Sequence, residues 1–229
     1  GSSNVDAGIP TGTIFGIFHH DETCDISAFL DSDDDDFMMD DAVCMVNTLQ
    51  PGTNLAAAGY VLYSSSTFLT FTIGQGVYGF TLDDQLGEFI LSHTCITMPD
   101  TKNIISFNEA NWDMWDEPMQ KVHNGWRTGT GKLGERYTSR YVGSMVADVH
   151  RTLLYGGVFG YPADTKNVNG KLRLLYEAAP MSFLIEQAGG LSTTGRERVM
   201  EIYPDDVHQR VPLVMGSKNE VQEVIDAYE

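Results

Sequence analysis

Gly170-Lys171-Leu172-Arg173-Leu174-Leu175-Tyr176-Glu177-Ala178-Ala179-Pro180 is the stretch on which the reading turns. Lys171 and Arg173 alternate with Leu172 and Leu174, and successive side chains of a strand point to opposite faces. The alternation predicts a strand with two cations on one face and two apolar groups on the other. Glu177 then stands just before Pro180, a residue suited to the first turn of a helix. Two fixed cations and an acid at one strand end are what a phosphorylated substrate and a divalent metal require. The same residues also suit a strand with a solvated basic edge, followed by a carboxylate near a helix start.

Outward from this segment the chain reads as α/β. Residues 13–18, 68–73, 77–82 and 88–91 are short β-prone runs bounded by turn residues. The Ala-rich residues 54–64 predict a helix packed on small side chains. Residues 142–155 place apolar groups at 142, 145, 146, 149 and 153, a helical spacing stopped by Gly156-Gly157. A second helix is expected over 180–188, closed by Gly189-Gly190, and a buried strand over 211–215. Ser217 with Glu220 reads as a capping box opening a last helix, with Val221, Val224, Ile225 and Tyr228 inward. Residues 96–106 read as a boundary, giving units at 1–95 and 96–229.

Composition narrows the function. The 229 residues carry a net charge of −18, which disfavours nucleic acid and anionic membranes as partners. No run of 18 apolar residues exists to span a membrane. Three cysteines are too few for a disulfide scaffold.

Several separated motifs together resemble the class I fructose-1,6-bisphosphatases. They are residues 11–16 (TGTIFG), 50–52 (QPG), 107–109 (FNE), 137–157 (YTSRYVGSMVADVHRTLLYGG), 171–180 and 208–210 (HQR). The resemblance runs along the whole chain, apart from residues 21–43. It implies the layered αβαβα sugar-phosphatase fold, incomplete at the N-terminus, and hydrolysis of the 1-phosphate of fructose 1,6-bisphosphate by metal-activated water. It makes Glu177 a Mg²⁺ ligand and Arg173 a neighbour of the reacting phosphate. It puts Asn108, Tyr141, Tyr161 and Lys171 around the second phosphate; an amide, two phenols and an ammonium are all donors to phosphate oxygens. It sends Arg140 to the phosphate site of a neighbouring subunit in a homo-oligomer, expected to be a tetramer. Gly1, Ser2 and Ser3 look like the tail of a family motif whose two upstream aspartates bind metal, so the chain is expected to be part of a longer enzyme and inactive alone. Ala110-Asn111 departs from the family's usual Gly-Tyr, and His19 stands where animal enzymes have an arginine of the AMP site.

Cys24 and Cys44 flank a segment with eight aspartates and no Lys or Arg. By itself this is a solvated loop with two unrelated thiols. The resemblance is to plastid enzymes, whose acidic insertion at this place carries a thioredoxin-reducible disulfide. It implies a Cys24–Cys44 pair, worth roughly 3 kcal/mol in the chain-entropy model, with thioredoxin as partner and a chloroplast location; the alternative location is the cytoplasm. Residues 111–116 (NWDMWD) and 177–183 (EAAPMSF) point the same way, while Leu49 stands where plants have a third cysteine. Cys95 is expected to be a small buried side chain. The alternatives are a sedoheptulose-1,7-bisphosphatase, or a non-catalytic fragment that binds sugar phosphates.

Overall fold

The computed structural model describes residues 2–19 and 47–229. Its first sheet is an antiparallel meander of β1 (Thr11–Phe18), β2 (Leu55–Tyr63), β3 (Thr67–Thr72), β4 (Val77–Asp83) and β5 (Glu88–His93), in sequence order. The helix expected over 54–64 is therefore a strand. Ala58, Tyr60 and Leu62 are buried in the two-residue period of a strand. Burial of that face against helices, with ladders to β1 and β3 on either side, overrides the helical propensity of alanine. The other expected strands of this sheet form where they were read.

The second sheet has the order β10 (Leu191–Thr193), β12 (Leu213–Gly216), β8 (Val158–Tyr161), β6 (Ile104–Phe107), β7 (Thr138–Ser139). Strands β6, β7 and β8 are parallel; β12 and β10 complete the sheet antiparallel. The strand expected over 211–215 is split at Pro212, which has no N–H to give a ladder. Arg210–Val211 becomes β11 and pairs with β9 (Leu172–Arg173) in a separate ribbon.

Besides the short α1 (Ser2–Asp6), four α-helices are described. Helices α3 (Met145–Tyr155) and α4 (Ala179–Gln187) lie between the sheets and touch both. Helices α2 (Glu117–Thr128) and α5 (Lys218–Tyr228) pack on each other, with α5 against β10 and β12. Among the described residues the layers run β, α, β, α, four of the five expected. The main core fills the inter-sheet layer, with Tyr60, Val149, Leu153, Met181, Leu184 and Ile185 fully buried. A second core packs Phe107, Met119, Trp126, Val221 and Val224 under the outer helices.

Local chemistry explains the boundaries. Helix α2 opens on Asp116, whose carboxylate accepts from Met119 N–H at 3.3 Å, and closes on Gly129 at φ +81°. Helix α3 ends at Gly156 and Gly157, both with positive φ; a Cβ on Gly157 would lie 2.4 Å from the Ile104 carbonyl oxygen. It begins at Met145 rather than Val142, because the Val142 and Gly143 amides are taken by the Asp148 carboxylate. The expected capping box does not form. Ser217 Oγ instead donates to Pro99 C=O at 2.6 Å and accepts from Gly157 N–H at 3.0 Å. Glu220 is buried and accepts from Tyr137 Oη at 2.9 Å. Cys95 is an exposed free thiol, not a buried one, because it falls in the segment that leaves β5 for the second sheet. Cys24, Cys44 and the acidic insertion lie outside the described residues.

Candidate active site

The quoted segment is strand for only two residues. Gly170, at φ +76°, starts it so close to β11 that a Cβ there would lie 2.1 Å from the Val211 carbonyl carbon. Arg173 pairs with Arg210, and Leu174 N–H donates to Gln209 C=O at 2.8 Å. The chain then enters a five-residue π-helical turn, Leu174–Ala178, a local geometry common at functional sites. The turn folds Glu177 back, so that Arg173 N–H donates to Glu177 Oε2 at 2.7 Å and the Arg173 Nη1 stands 3.7 Å from the same oxygen. Glu177 thus sits in this turn rather than in the first turn of α4. Lys171, Arg173 and Glu177 all line one cleft of about 440 Å³.

The opposite wall comes from the second sheet. Asn108 directly follows β6, Tyr161 ends β8, and Arg140-Tyr141 follow β7. These three strands are parallel, so all three positions fall at carboxyl ends, where open parallel sheets place ligands. Asn108, Tyr141 and Tyr161 line the same cleft. Lys171 Nζ donates to Tyr161 Oη at 3.2 Å and lies 5.2 Å from its ring centroid. Burial, the neighbouring Tyr161 and Asp148 raise the pKa of Tyr141, which keeps its hydroxyl a donor near neutral pH. The cleft therefore holds a cluster of neutral and cationic donors beside one carboxylate.

Six of the expected residues meet in this cleft and others do not. Arg140 is exposed outside it, its Nη1 donating to Ser139 C=O at 3.1 Å. Ser3 is exposed on α1 and is not part of the wall; its neighbour Asn4 is, with Nδ2 donating to Gly143 C=O at 3.3 Å. Ser2 lies in α1, and Gly1 lies outside the described residues. Sequence reasoning missed Asn4, Thr11, Gly12, Gly143 and Ser144 as wall residues. The glycines were the available signal: a Cβ on Gly12 would lie 2.7 Å from the Val146 side chain, so β1 can only run this close to α3 without one.

Among the described residues no group of three or more His, Cys, Asp or Glu side chains is placed to hold a metal, and Glu177 is the one acid lining the cleft. Its carboxylate is a hard oxygen donor of the kind Mg²⁺ selects, so it fits as one ligand of a set.

Two family descriptions cover the chain. "Fructose-1-6-bisphosphatase, N-terminal domain" matches residues 1–94, and "Fructose-1-6-bisphosphatase, C-terminal domain" matches residues 98–229. The chain is 51% identical over 225 residues to the chloroplastic fructose-1,6-bisphosphatase of Brassica napus, covering 98% of this chain and 54% of that protein. It is 48% identical over 231 residues to the class 1 enzyme of Maridesulfovibrio salexigens, covering 100% of this chain and 64% of that one. The holo crystal structure of Leishmania major fructose-1,6-bisphosphatase superimposes with a TM-score of 0.86 at 41% identity, covering 99% of this chain and 65% of that one. The chain spans about half the length of the plant relatives it matches.

Proposed function

We propose, for a chain that belongs to the fructose-1,6-bisphosphatase family, that it forms part of an enzyme removing the 1-phosphate of fructose 1,6-bisphosphate to give fructose 6-phosphate and phosphate. One observation carries the reading. The cleft separates two charged stations on either side of Leu172, Lys171 with the tyrosines and Arg173 with Glu177. Two residues of chain can set them up to roughly 7 Å apart along the backbone. That spacing suits a substrate with a phosphate at each end.

The residues divide the work. Asn108, Tyr141, Tyr161 and Lys171 hold the non-reacting phosphate through donated hydrogen bonds and fix the sugar's position. Arg173 offsets negative charge on the phosphoryl group being transferred. Its own backbone N–H holds Oε2 of Glu177, a residue that lines the cleft. Glu177 would be one ligand to Mg²⁺, which when bound supplies Lewis acidity and an activated water.

The plant relatives support a plastid location and a place in the Calvin cycle, with gluconeogenesis as the other setting for the same reaction. The remaining parts of the reading are a Cys24–Cys44 disulfide opened by thioredoxin, a homotetramer in which Arg140 reaches a neighbour's phosphate site, and a division into units near residue 95. The decisive experiment measures phosphate release by the full-length protein from fructose 1,6-bisphosphate and from sedoheptulose 1,7-bisphosphate. A higher kcat/KM for the fructose ester is expected; the reverse order overturns the substrate assignment. Cys24→Ser should abolish activation by reduced thioredoxin.

A further inference from the structure

Asp148 is fully buried, on the first turn of α3, and does not line the cleft. Its carboxylate is nonetheless tied to both halves of the phosphate-binding wall. On one side it accepts from Ser106 Oγ at 2.7 Å. Ser106 lies on β6, two residues before Asn108. On the other side it accepts from Val142 N–H at 2.9 Å and from Gly143 N–H at 3.0 Å. Those amides lie within the loop that presents Tyr141, Gly143 and Ser144 to the cleft. Arg151, one turn along α3, adds a third tie by donating from Nη2 to the Arg140 carbonyl at 3.3 Å.

We propose that Asp148 is a positioning residue that sets the placement of Asn108 relative to Tyr141, and so the affinity of the cradle for the non-reacting phosphate. The inference rests on the cradle reading above and deepens it. The physical basis is the number of bonds converging on one short side chain. A buried carboxylate accepting three donors is stiff, and those donors fix, beyond the β6–β7 ladder, the two segments that follow it toward Asn108 and Tyr141. Helix geometry helps, because a carboxylate in the first turn faces the positive end of the α3 dipole. Asn in its place conserves volume and one acceptor but turns a second acceptor into a donor aimed at the Val142 and Gly143 amides. The loop carrying Tyr141 then has to move away.

The test uses the full-length protein with Asp148→Asn, Ser106→Ala and Lys171→Ala. It measures KM and kcat for the bisphosphate, and the inhibition constant of fructose 6-phosphate, which carries only the non-reacting phosphate. Asp148→Asn is expected to raise both KM and that inhibition constant about tenfold, with kcat changed less than threefold. Ser106→Ala, a milder cut of the same joint, should raise both about threefold, and it carries the test if Asp148→Asn fails to fold. Inhibition by inorganic phosphate, the product released at the reacting station of Arg173 and Glu177, should stay within twofold. A fall in kcat with unchanged KM and unchanged fructose 6-phosphate binding overturns the proposal, as does an equal loss for inorganic phosphate. If Lys171→Ala weakens fructose 6-phosphate and Ser106→Ala does not, Asp148's role alone is lost. If Lys171→Ala also leaves fructose 6-phosphate binding unchanged, the cradle reading falls and takes the proposal with it.

Discussion

Two clefts flank the β9–β11 ribbon, and the larger is the less informative. The cleft of about 750 Å³ is lined by Arg196, His208 and Arg210, but also by Asp116, Glu197, Asp205 and Asp206. Its charges offset one another, four acids facing two arginines, and two of the acids are already engaged: Tyr228 Oη donates to Asp116 at 2.7 Å, and the His208 backbone N–H donates to Asp206 at 2.6 Å. The cleft of about 440 Å³ has two cations, two phenols and two amides against one carboxylate. The difference teaches that a site is marked by donors left in excess and aimed together rather than by volume. The ribbon joins the two, since His208 Nδ1 lies 3.0 Å from the hydroxyl of Tyr176, whose ring sits 6.0 Å from the Arg173 guanidinium.

The comparison breaks most sharply at Glu177. In the full-length protein Glu177→Gln should lower kcat by about 10³-fold, the scale of losing a preorganised charge at the reacting group. Activity within tenfold of wild type would mean that the small cleft is no more catalytic than the large one.

Both clefts hang on one frame, and acid should loosen them together. His150 is packed under the first sheet, with Nδ1 2.7 Å from Tyr60 Oη. Burial, with a smaller effect of His93, pushes its pKa down to about 4. His123, caged by Phe107, Trp115 and Trp126, is also lowered, chiefly by burial. Both are depressed relative to the unfolded chain, so their contribution is complete above about pH 6.5. It is lost as the pH falls from there through the folded values. For His150 the loss amounts to about 2–3 kcal/mol by pH 4. Urea unfolding of wild type and His150→Phe between pH 7 and pH 4 checks this; a wild-type slope no steeper than the variant's would remove His150 from the account.

The smallest effects sharpen the contrast. Lys171→Ala should raise KM about tenfold, the value of one charge-assisted hydrogen bond. Arg196→Ala, its counterpart in the larger cleft, should change KM and kcat by less than about twofold. Equal effects would erase the distinction between excess and balanced charge.

Part of the cleft was legible in the residues themselves, at Lys171, Arg173 and Glu177, while Asn108, Tyr141 and Tyr161 were named only through the family resemblance. The alternation of Lys171 and Arg173 and the stop at Gly156-Gly157 needed no long-range information. What stayed hidden depends on partners far along the chain. Residues 54–64 became a strand because β1 and β3 offered ladders, and the continuously apolar run 55–63 hid the two-residue period that burial of 58, 60 and 62 then showed. Ser217 gave up its cap for Pro99 and Gly157, contacts that exist only once the second sheet has formed. Asp148 was not singled out from the sequence, because the serine that marks it, Ser106, lies 42 residues away in the chain.

The meander order of the first sheet has a consequence for synthesis. Strands β2 to β5 each pair with the next in the chain, so the sheet can form from neighbours while translation continues. Its inner face of Ala58, Tyr60 and Leu62 is covered by α3 and α4, and α4 ends about 120 residues after β2. At ribosomal rates that interval is roughly 6–25 s. Until then that apolar face lacks part of its cover, since α3 is complete about 30 residues before α4. The demand of this chain for chaperones is therefore set by the order of its elements, and a mutation that left the folded state equally stable while delaying α4 would still lower the yield.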